Sequence, residues 1–410
     1  MIALCVECID TFEGVEALSR EWSELESATP EATGFQSFAW CRTWLQLAGD
    51  RVVPRILCLR EGGRLVLIAP FQIERRLGVS IACWVGAPLT QYGDALARPG
   101  VERAGWRDLA LAEIARWRDV DLVALTRLRA DGVFCAGDSA GEPLAAPFAD
   151  LRGWTPRRQK SVERRARLLE TKGTVALVEA RTPEQRESLA RHALALKRAW
   201  LRRRGAYSIG LSHPVSEDFL ATLAREGFVR VNALMVGDDV AALDVGFFGQ
   251  GAYRSMLGCF DERFADGAPG HALTGRLIAR LAGEGLAAYD MLPPADAYKR
   301  AWASGETRIE ARFIATSLKG RLAAFALVRL RPLAKRLAHA LGRFEAAHSL
   351  SNAFALGFPR LQKRNAHCDG ANCEDCGRRG DGARDARRRS GQCARLRHEF
   401  RRGAAHSLDG

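Results

Sequence analysis

The sequence predicts an α+β protein built from two halves of the same element order, followed by a basic tail. Two stretches, 53–85 and 229–259, each read as three consecutive strands. Both are preceded by helical patterns and followed by a loop, a helix and a strand. The breaks within them, Glu61-Gly62-Gly63, Gly237-Asp238-Asp239 and Gly249-Gln250-Gly251, carry the residue types that tight hairpins require. A length of 410 residues gives room for two domains at about 100–200 residues each.

In chain order, Val15, Leu18, Trp22 and Leu25 recur at helical spacing, and Phe35 to Leu47 is a second amphipathic stretch. Strands are expected at Val53–Leu59, Arg64–Ile73 and Val79–Val85. A loop from Gly86 to Gly100 leads to a helix over Trp106–Trp117 and a strand over Asp121–Leu128. Residues 130–156, broken by Gly and Pro, read as a linker. The second half opens with helices at Ser161–Lys172, Pro183–Arg203 and Phe219–Arg225. Its strands are expected at Val229–Val236, Val240–Phe248 and Ala252–Cys259. After a loop, Asp261–Gly270, come a helix over His271–Leu281, a strand over Leu286–Met291, a short helix over Ala295–Ala303 and a last strand over Arg308–Thr316. The expected boundaries are therefore 1–150 for the first domain, 151–318 for the second, 319–345 for a basic amphipathic helix and 346–410 for a tail.

The net charge of +13 lies in the last hundred residues, because residues 1–310 balance to zero. Residues 311–344 hold eight Arg/Lys and no acid. Such a stretch reads as a solvated helix on the body or as a membrane-surface helix. Within the body, Arg157 to Arg167 is a local cationic cluster. Residues 351–410 contain no Val or Ile, too little apolar surface to offset the entropy of ordering, so disorder is expected. Cys368, Cys373 and Cys376 lie beside His367, but the spacing lacks a convincing second pair of ligands, so neither zinc nor any other metal is expected. Nucleic acid is not an expected partner of the body; RNA binding through the tail is a third reading, recognisable by its salt sensitivity. The apolar runs are too short for a spanning helix. The opening residues, with Glu7 and Asp10 inside the first apolar stretch, do not read as a secretory signal. Eleven irregularly spaced cysteines point to a reducing cytoplasm.

Chemistry is concentrated at the loop before the second-half helix. Gly267-Ala268-Pro269-Gly270-His271 follows a strand and opens a helix. A helix start offers unpaired N–H groups and a positive dipole end, and small residues let an anion approach the backbone. The pattern is not Gly-x-x-x-x-Gly-Lys-Ser/Thr, so a nucleotide P-loop is not indicated. A plain turn capping a helix is the competing reading from spacing alone.

Several patches resemble one family. Gly246-Phe247-Phe248, Tyr253-Arg254-Ser255-Met256-Leu257-Gly258, Phe260-Asp261, Ala268-Pro269-Gly270, Tyr289-Asp290-Met291-Leu292 and Tyr298-Lys299-Arg300-Ala301-Trp302 are similar to the CelD-like, FemAB-related branch of the GNAT acyltransferases. Phe35-Gln36-Ser37-Phe38-Ala39-Trp40, followed by Trp44, resembles that branch's opening motif. The likeness spans roughly residues 10–320 in ordered patches. Gly267-Ala268 stands where the branch usually carries Tyr-Ser, a departure that leaves the roles of those two residues without a counterpart.

The resemblance implies tandem GNAT-like domains, each a mixed, mainly antiparallel sheet flanked by helices, and transfer of an acyl group, usually acetyl from acetyl-CoA. It places the donor pyrophosphate on the backbone of Gly267, Ala268, Pro269, Gly270 and His271, and the pantetheine beside Met256, Leu257 and Gly258. No metal enters. Candidates for proton transfer are Asp244, Tyr253, Asp290 and Lys299. Asp244 sits in an apolar strand, where desolvation would raise its pKa and suit it to act as a base; it could instead pair with a backbone donor or an Arg. Asp290 could fix the neighbouring loop by pairing with Lys299 or Arg300. Tyr253 is expected to line the acyl cleft. His192 reads as core, His271 as a helix cap, and Cys259 as a small buried hydrophobe. Tyr92-Gly93-Asp94 is expected to reach the acceptor across the domain interface, where pockets often form.

The expected function is an N- or O-acyltransferase acting on a sugar amine or hydroxyl or on an envelope polysaccharide precursor. The acceptor is a small-molecule or lipid-linked saccharide, and the location is cytoplasmic, with possible contact with the inner face of the membrane. The alternatives are a non-catalytic GNAT-like subunit of a polysaccharide assembly complex and a FemAB-type aminoacyl transferase.

Overall fold

The computed structural model describes residues 3–135, 140, 142–155 and 160–330. The expected tail, 346–410, with its cysteines and His367, and the end of the basic stretch from 331 lie outside the described residues.

The first half comprises β1 (Leu4–Ile9), α1 (Phe12–Ala17), α2 (Ser19–Ala28), α3 (Phe38–Ala48), β2 (Val53–Glu61), β3 (Arg64–Arg76), β4 (Val79–Trp84), β5 (Leu96–Ala97), α4 (Arg103–Ile114) and β6 (Leu122–Arg129). The second comprises β7 (Leu144–Asp150), α5 (Lys160–Glu170), β8 (Val175–Glu179), α6 (Pro183–Arg203), α7 (Ser216–Arg225), β9 (Arg230–Val236), β10 (Asp239–Gly249), β11 (Ala252–Phe260), α8 (Pro269–Gly283), β12 (Ala288–Asp290), α9 (Ala297–Trp302), β13 (Gly305–Ala315) and α10 (Leu318–Phe325).

Local chemistry sets the boundaries. Ser37 caps α3 by accepting from Trp40 N. Thr182 and Gln185 form a reciprocal capping box at α6, with Pro183 pre-set for the first turn. Asp296 and Ser317 cap α9 and α10. The β10–β11 hairpin turns on Gln250 and Gly251, both at positive φ, the geometry that matches strand twist.

Among the described residues, all the strands belong to one sheet. Its order is β1-β2-β3-β4-β6-β13-β7-β12-β11-β10-β9-β8, with β5 beside β3. Pairing is antiparallel except for β4 with β6 and β11 with β12, so the sheet is mixed and mainly antiparallel, with helices flanking it. β13 is the joint between the halves: its start pairs with β7 and its remainder with β6. Residues 144–150, expected as linker, thus form a central strand. The sequence hid it because Pro147 lies in its middle, and proline is normally confined to edge strands. Three further strands were not anticipated: β1 at one sheet edge, β8 at the other, and the two-residue β5 within the expected loop 86–100.

The largest core also crosses the halves. Trp40 and Trp44 of α3 pack edge-on against Phe219 of α7 at 4.7 and 5.2 Å, and Phe35 meets Phe247 of β10 at 5.0 Å. Gly34 is required there: a Cβ would sit 2.7 Å from the Phe247 ring, and its φ is +88°. Elsewhere, α4 covers the first-half sheet through Trp106, Ala110 and Ile114. In the second half, α8 packs Leu277, Ile278 and Leu281 against Tyr253 and Tyr289.

Candidate functional site

Two strands that start together and then part define the site. β11 and β12 pair in parallel over Ala252↔Ala288, Tyr253↔Tyr289 and Arg254↔Asp290 and no further. β12 ends at Asp290, whereas β11 continues to Phe260 with β10 on one side only. A register shift leaves Met256 as an extra residue on β11, opposite the Val245–Gly246 step. Such bulges bend a strand and re-aim its side chains. In the first half, β4 and β6 also pair in parallel at only two positions, Ile81↔Leu122 and Ala82↔Val123, but β4 stops two residues further on, at Trp84.

The opening is part of a cleft of about 2130 Å³. Ser255 to Phe260 form one wall, and Met291 to Pro294 the other. Ala268, Pro269, Gly270 and His271 line it at the start of α8. Ala268 adopts a left-handed conformation, φ 48°, and no side chain caps this helix start, so its first N–H groups face the cleft without a local acceptor. Gly267 is buried instead. A Cβ there would lie 2.3 Å from Leu169 Cδ2 of α5, so Gly267 serves packing behind the loop. Gly270 has room, with the nearest atom to a Cβ being Tyr298 Oη at 3.7 Å. His271 accepts from Trp302 Nε1 at 3.1 Å through Nδ1, and burial pulls its pKa below the ordinary value. It is thus a neutral ring held by α9 rather than the expected cap.

Asp244 lines the cleft from β10 and is 3% exposed. Tyr253 donates to Oδ1 at 2.6 Å, Tyr289 to Oδ2 at 3.3 Å, and Ser255 also donates to Oδ2. Burial pushes its carboxyl pKa up, and these hydroxyls oppose the shift. The sequence left a backbone donor or an arginine as its partner; three hydroxyls take that place. Tyr253 does not line the cleft as expected. Its ring is fully buried, stacked on Tyr289 at 5.8 Å, and its hydroxyl also accepts from Asn232 at 3.0 Å. Tyr253 lies where β12 still pairs with β11, whereas the cleft-lining residues from Ser255 onward lie beyond that pairing.

Asp290 faces the other way. Tyr92 Oη lies 2.9 Å from both carboxylate oxygens, Leu292 N donates at 2.9 Å, and Arg254 Nε stands 3.9 Å away. The expected partners lie elsewhere: Lys299 donates to the carbonyls of Leu292 and Pro294 at 2.7 and 3.0 Å, and Arg300 pairs with Glu306. Tyr92 is buried and joins the halves, so the expected acceptor contact becomes a structural one. Lys299 lines the cleft, and desolvation brings its pKa down to about 8.

Three cleft residues were not among the candidates drawn from the sequence. Lys197 of α6 donates to the Gly258 carbonyl at 3.1 Å and lies over the Trp200 ring; burial lowers its pKa. Tyr298 bonds Thr274 Oγ1 at 2.7 Å and donates to the Gly270 carbonyl at 3.0 Å. Ser255 belongs to the Asp244 group. Only tertiary packing brings α6 and α9 to this strand edge. Arg76, Arg127, Arg165 and Arg204 add positive charge to the cleft. Among the described residues, no group of His, Cys, Asp or Glu could hold a metal ion, and no helix is long and apolar enough to cross a membrane.

Comparison with known proteins adds the following. Residues 156–300 match the model of the acetyltransferase (GNAT) domain. No curated protein matches the chain. Among solved structures, FemX is 12% identical, with 76% of this chain and 98% of that one covered and a TM-score of 0.50. A conserved protein of unknown function from Bacteroides thetaiotaomicron is 11% identical, covering 76% and 100% respectively, at a TM-score of 0.47. A tandem GNAT protein from the clavulanic acid biosynthesis pathway is 13% identical, covering 77% and 99%, at 0.43. At such identities the FemX likeness concerns the fold.

Proposed function

We propose, from the premise that residues 156–300 are a GNAT acyltransferase domain, that this enzyme moves an acyl group from acyl-CoA to an amine or hydroxyl of a saccharide. Acetyl is the favoured acyl group, and an envelope polysaccharide precursor the favoured acceptor. One observation carries the donor assignment: β11 presents an unpaired edge beside an uncapped helix start, in the same cleft. An extended pantetheine arm can pair with such an edge as an added strand, while a pyrophosphate takes the N–H groups at a helix start.

In this reading Gly270 and His271 supply the N–H groups, because Pro269 has none and Ala272 N already bonds the Ala268 carbonyl at 3.1 Å, and Arg165 adds charge at the cleft. Met256 to Gly258 face the pantetheine; the Lys197 ammonium, resting on the Gly258 carbonyl, moves aside or bonds the arm. Asp244 takes the proton of the attacking amine or hydroxyl as its lone pair adds to the thioester carbon. Tyr253 and Ser255 hold its carboxylate in place. The C–S bond then breaks, and Lys299, with a proton available near pH 8, protonates the leaving thiolate. The cations of the cleft suit an acceptor bearing phosphate or carboxylate.

Calorimetric titration with acetyl-CoA and chromatographic detection of free CoA in the presence of candidate saccharides test this reading. Saturable binding that Gly270→Asp weakens is expected. Absence of binding to acetyl-CoA and longer acyl-CoA thioesters alike would remove the reading and leave the scaffold.

A further inference from the structure

The cleft extends beyond the donor opening, over the first-half sheet. Ile81, Ala124 and Phe313 line that arm, together with Leu327, Val328 and Arg329. The last three belong to the π-helical turn Ala326–Leu330, which continues α10. One short segment therefore forms a wall of the cleft and a rim of the molecule.

The placement of α10 is fixed. Ser317 Oγ donates to Asp121 Oδ1 at 2.5 Å, Ser80 N donates to Oδ2 at 2.9 Å, and Thr316 N donates to the Asp121 carbonyl at 3.0 Å. Gly320 lies so close to that carbonyl that a Cβ would be 1.7 Å from it. With its inner face pressed to the sheet, α10 turns Leu318, Leu322 and Phe325 outward, 72%, 65% and 57% exposed. At 100° per residue these three fall within an arc of about 60°. Arg321 flanks the arc on one side and Lys319 on the other; both are exposed, as is Arg329. No acidic residue occurs anywhere in 311–344. An outward apolar stripe flanked within its own helix by cations complements a surface that is apolar beneath and anionic at its headgroups.

We propose that α10 seats the protein on an anionic membrane surface. Leu318, Leu322 and Phe325 enter the lipid, and Lys319, Arg321 and Arg329 meet the headgroups. The stretch of cleft lined by Ile81, Ala124, Phe313, Leu327 and Val328 then opens at the bilayer, where the alkyl chain of an anionic, lipid-linked acceptor can enter. The docking deepens the acyltransferase reading by naming its acceptor class, but vesicle binding reports on it without any turnover, so the two can fail separately.

The test is flotation of the full chain with phosphatidylcholine vesicles, with and without phosphatidylglycerol. Wild type is expected to float with the anionic vesicles and to be released by salt. L322E/F325E is expected to remain unbound with an unchanged melting temperature, and K319E/R321E to lose about thirtyfold or more in partitioning. Flotation of L322E/F325E at the wild-type level, or equal flotation of wild type on neutral vesicles, overturns the proposal. So does a wild-type dimer that L322E/F325E converts to monomer, because a second copy then covers the stripe. A monomeric L322E/F325E with a lowered melting temperature overturns it as well, because the chain's own segments then cover the stripe.

Discussion

Tyr92 and Asp290, 198 positions apart in the chain, meet at 2.9 Å in the buried space between the two halves. The tyrosine hydroxyl spans both carboxylate oxygens, while Arg254 approaches from β11 and Arg129 lies over the Tyr92 ring. Burial raises the pKa of both partners. Tyr92→Phe leaves a buried carboxylate short of its main donor, at an expected cost of about 1–3 kcal/mol. Asp290→Ala is expected to cost more than Asp290→Asn, whose amide oxygen still accepts from Tyr92 while Arg254 loses only its charge partner. Urea denaturation of the three variants measures the order.

Asp244→Asn keeps the shape of the buried group and removes its basicity. Turnover is expected to fall by about 10²-fold or more, with acyl-CoA affinity within twofold of wild type. The acidic limb of the wild-type rate profile should lie above the ordinary carboxyl value of 3.8, in the direction of the burial shift. Ser255→Ala removes a hydroxyl that holds that pKa down, so its limb moves to higher pH. An unmoved limb would place Ser255 outside the acid–base machinery.

Lys299 carries a pH-dependent stability. Its pKa falls from 10.5 unfolded to about 8 folded. Between those values the unfolded chain binds the proton and the folded chain does not, so stability rises with pH through that window. The contribution is fully present above 10.5 and is lost as pH falls through about 8. Against Lys299→Met, which lacks this titration, the wild type should gain relative stability as pH rises across the window. Chemical denaturation at its two ends reads the difference, and a pH-independent difference would contradict it.

The two loop glycines have separable roles. Gly267→Ala drives a methyl into Leu169 and is expected to lower the melting temperature. Gly270→Asp has space to fold but puts a carboxylate where the donor's pyrophosphate would sit, with an expected loss of about tenfold in acyl-CoA affinity. Thermal unfolding with and without acyl-CoA separates the two effects.

Much of this architecture was legible in the sequence because its signals are local. The hairpin at Gln250-Gly251 follows from turn chemistry, and the meanders Val229–Cys259 and Val53–Val85 from short apolar runs between turn residues. The start of α8 followed from the Gly/Pro-containing run before it. β7 was illegible because Pro147 contradicts a central strand. Asp244 could be singled out as a carboxylate in an apolar strand, but its three hydroxyl partners could not. Tyr253 was expected to line the cleft from the resemblance; it lies instead where β12 still pairs with β11, at Tyr253↔Tyr289, beneath Leu277, Ile278 and Leu281 of α8, and where that pairing stops is not marked in the local pattern.

By itself, then, the chain determined its order of helices and strands, the glycine-containing helix start and the segregation of its charge, since each depends on neighbours a few residues apart. Only the tertiary structure decided that β13 ties the halves into one sheet, that β11 outruns β12 to leave a free edge, and that Lys197, Tyr298 and Asp244 share one cleft. Those outcomes depend on pairing and packing between residues tens to hundreds of positions apart, where the energy of contact, and no local periodicity, selects the partner.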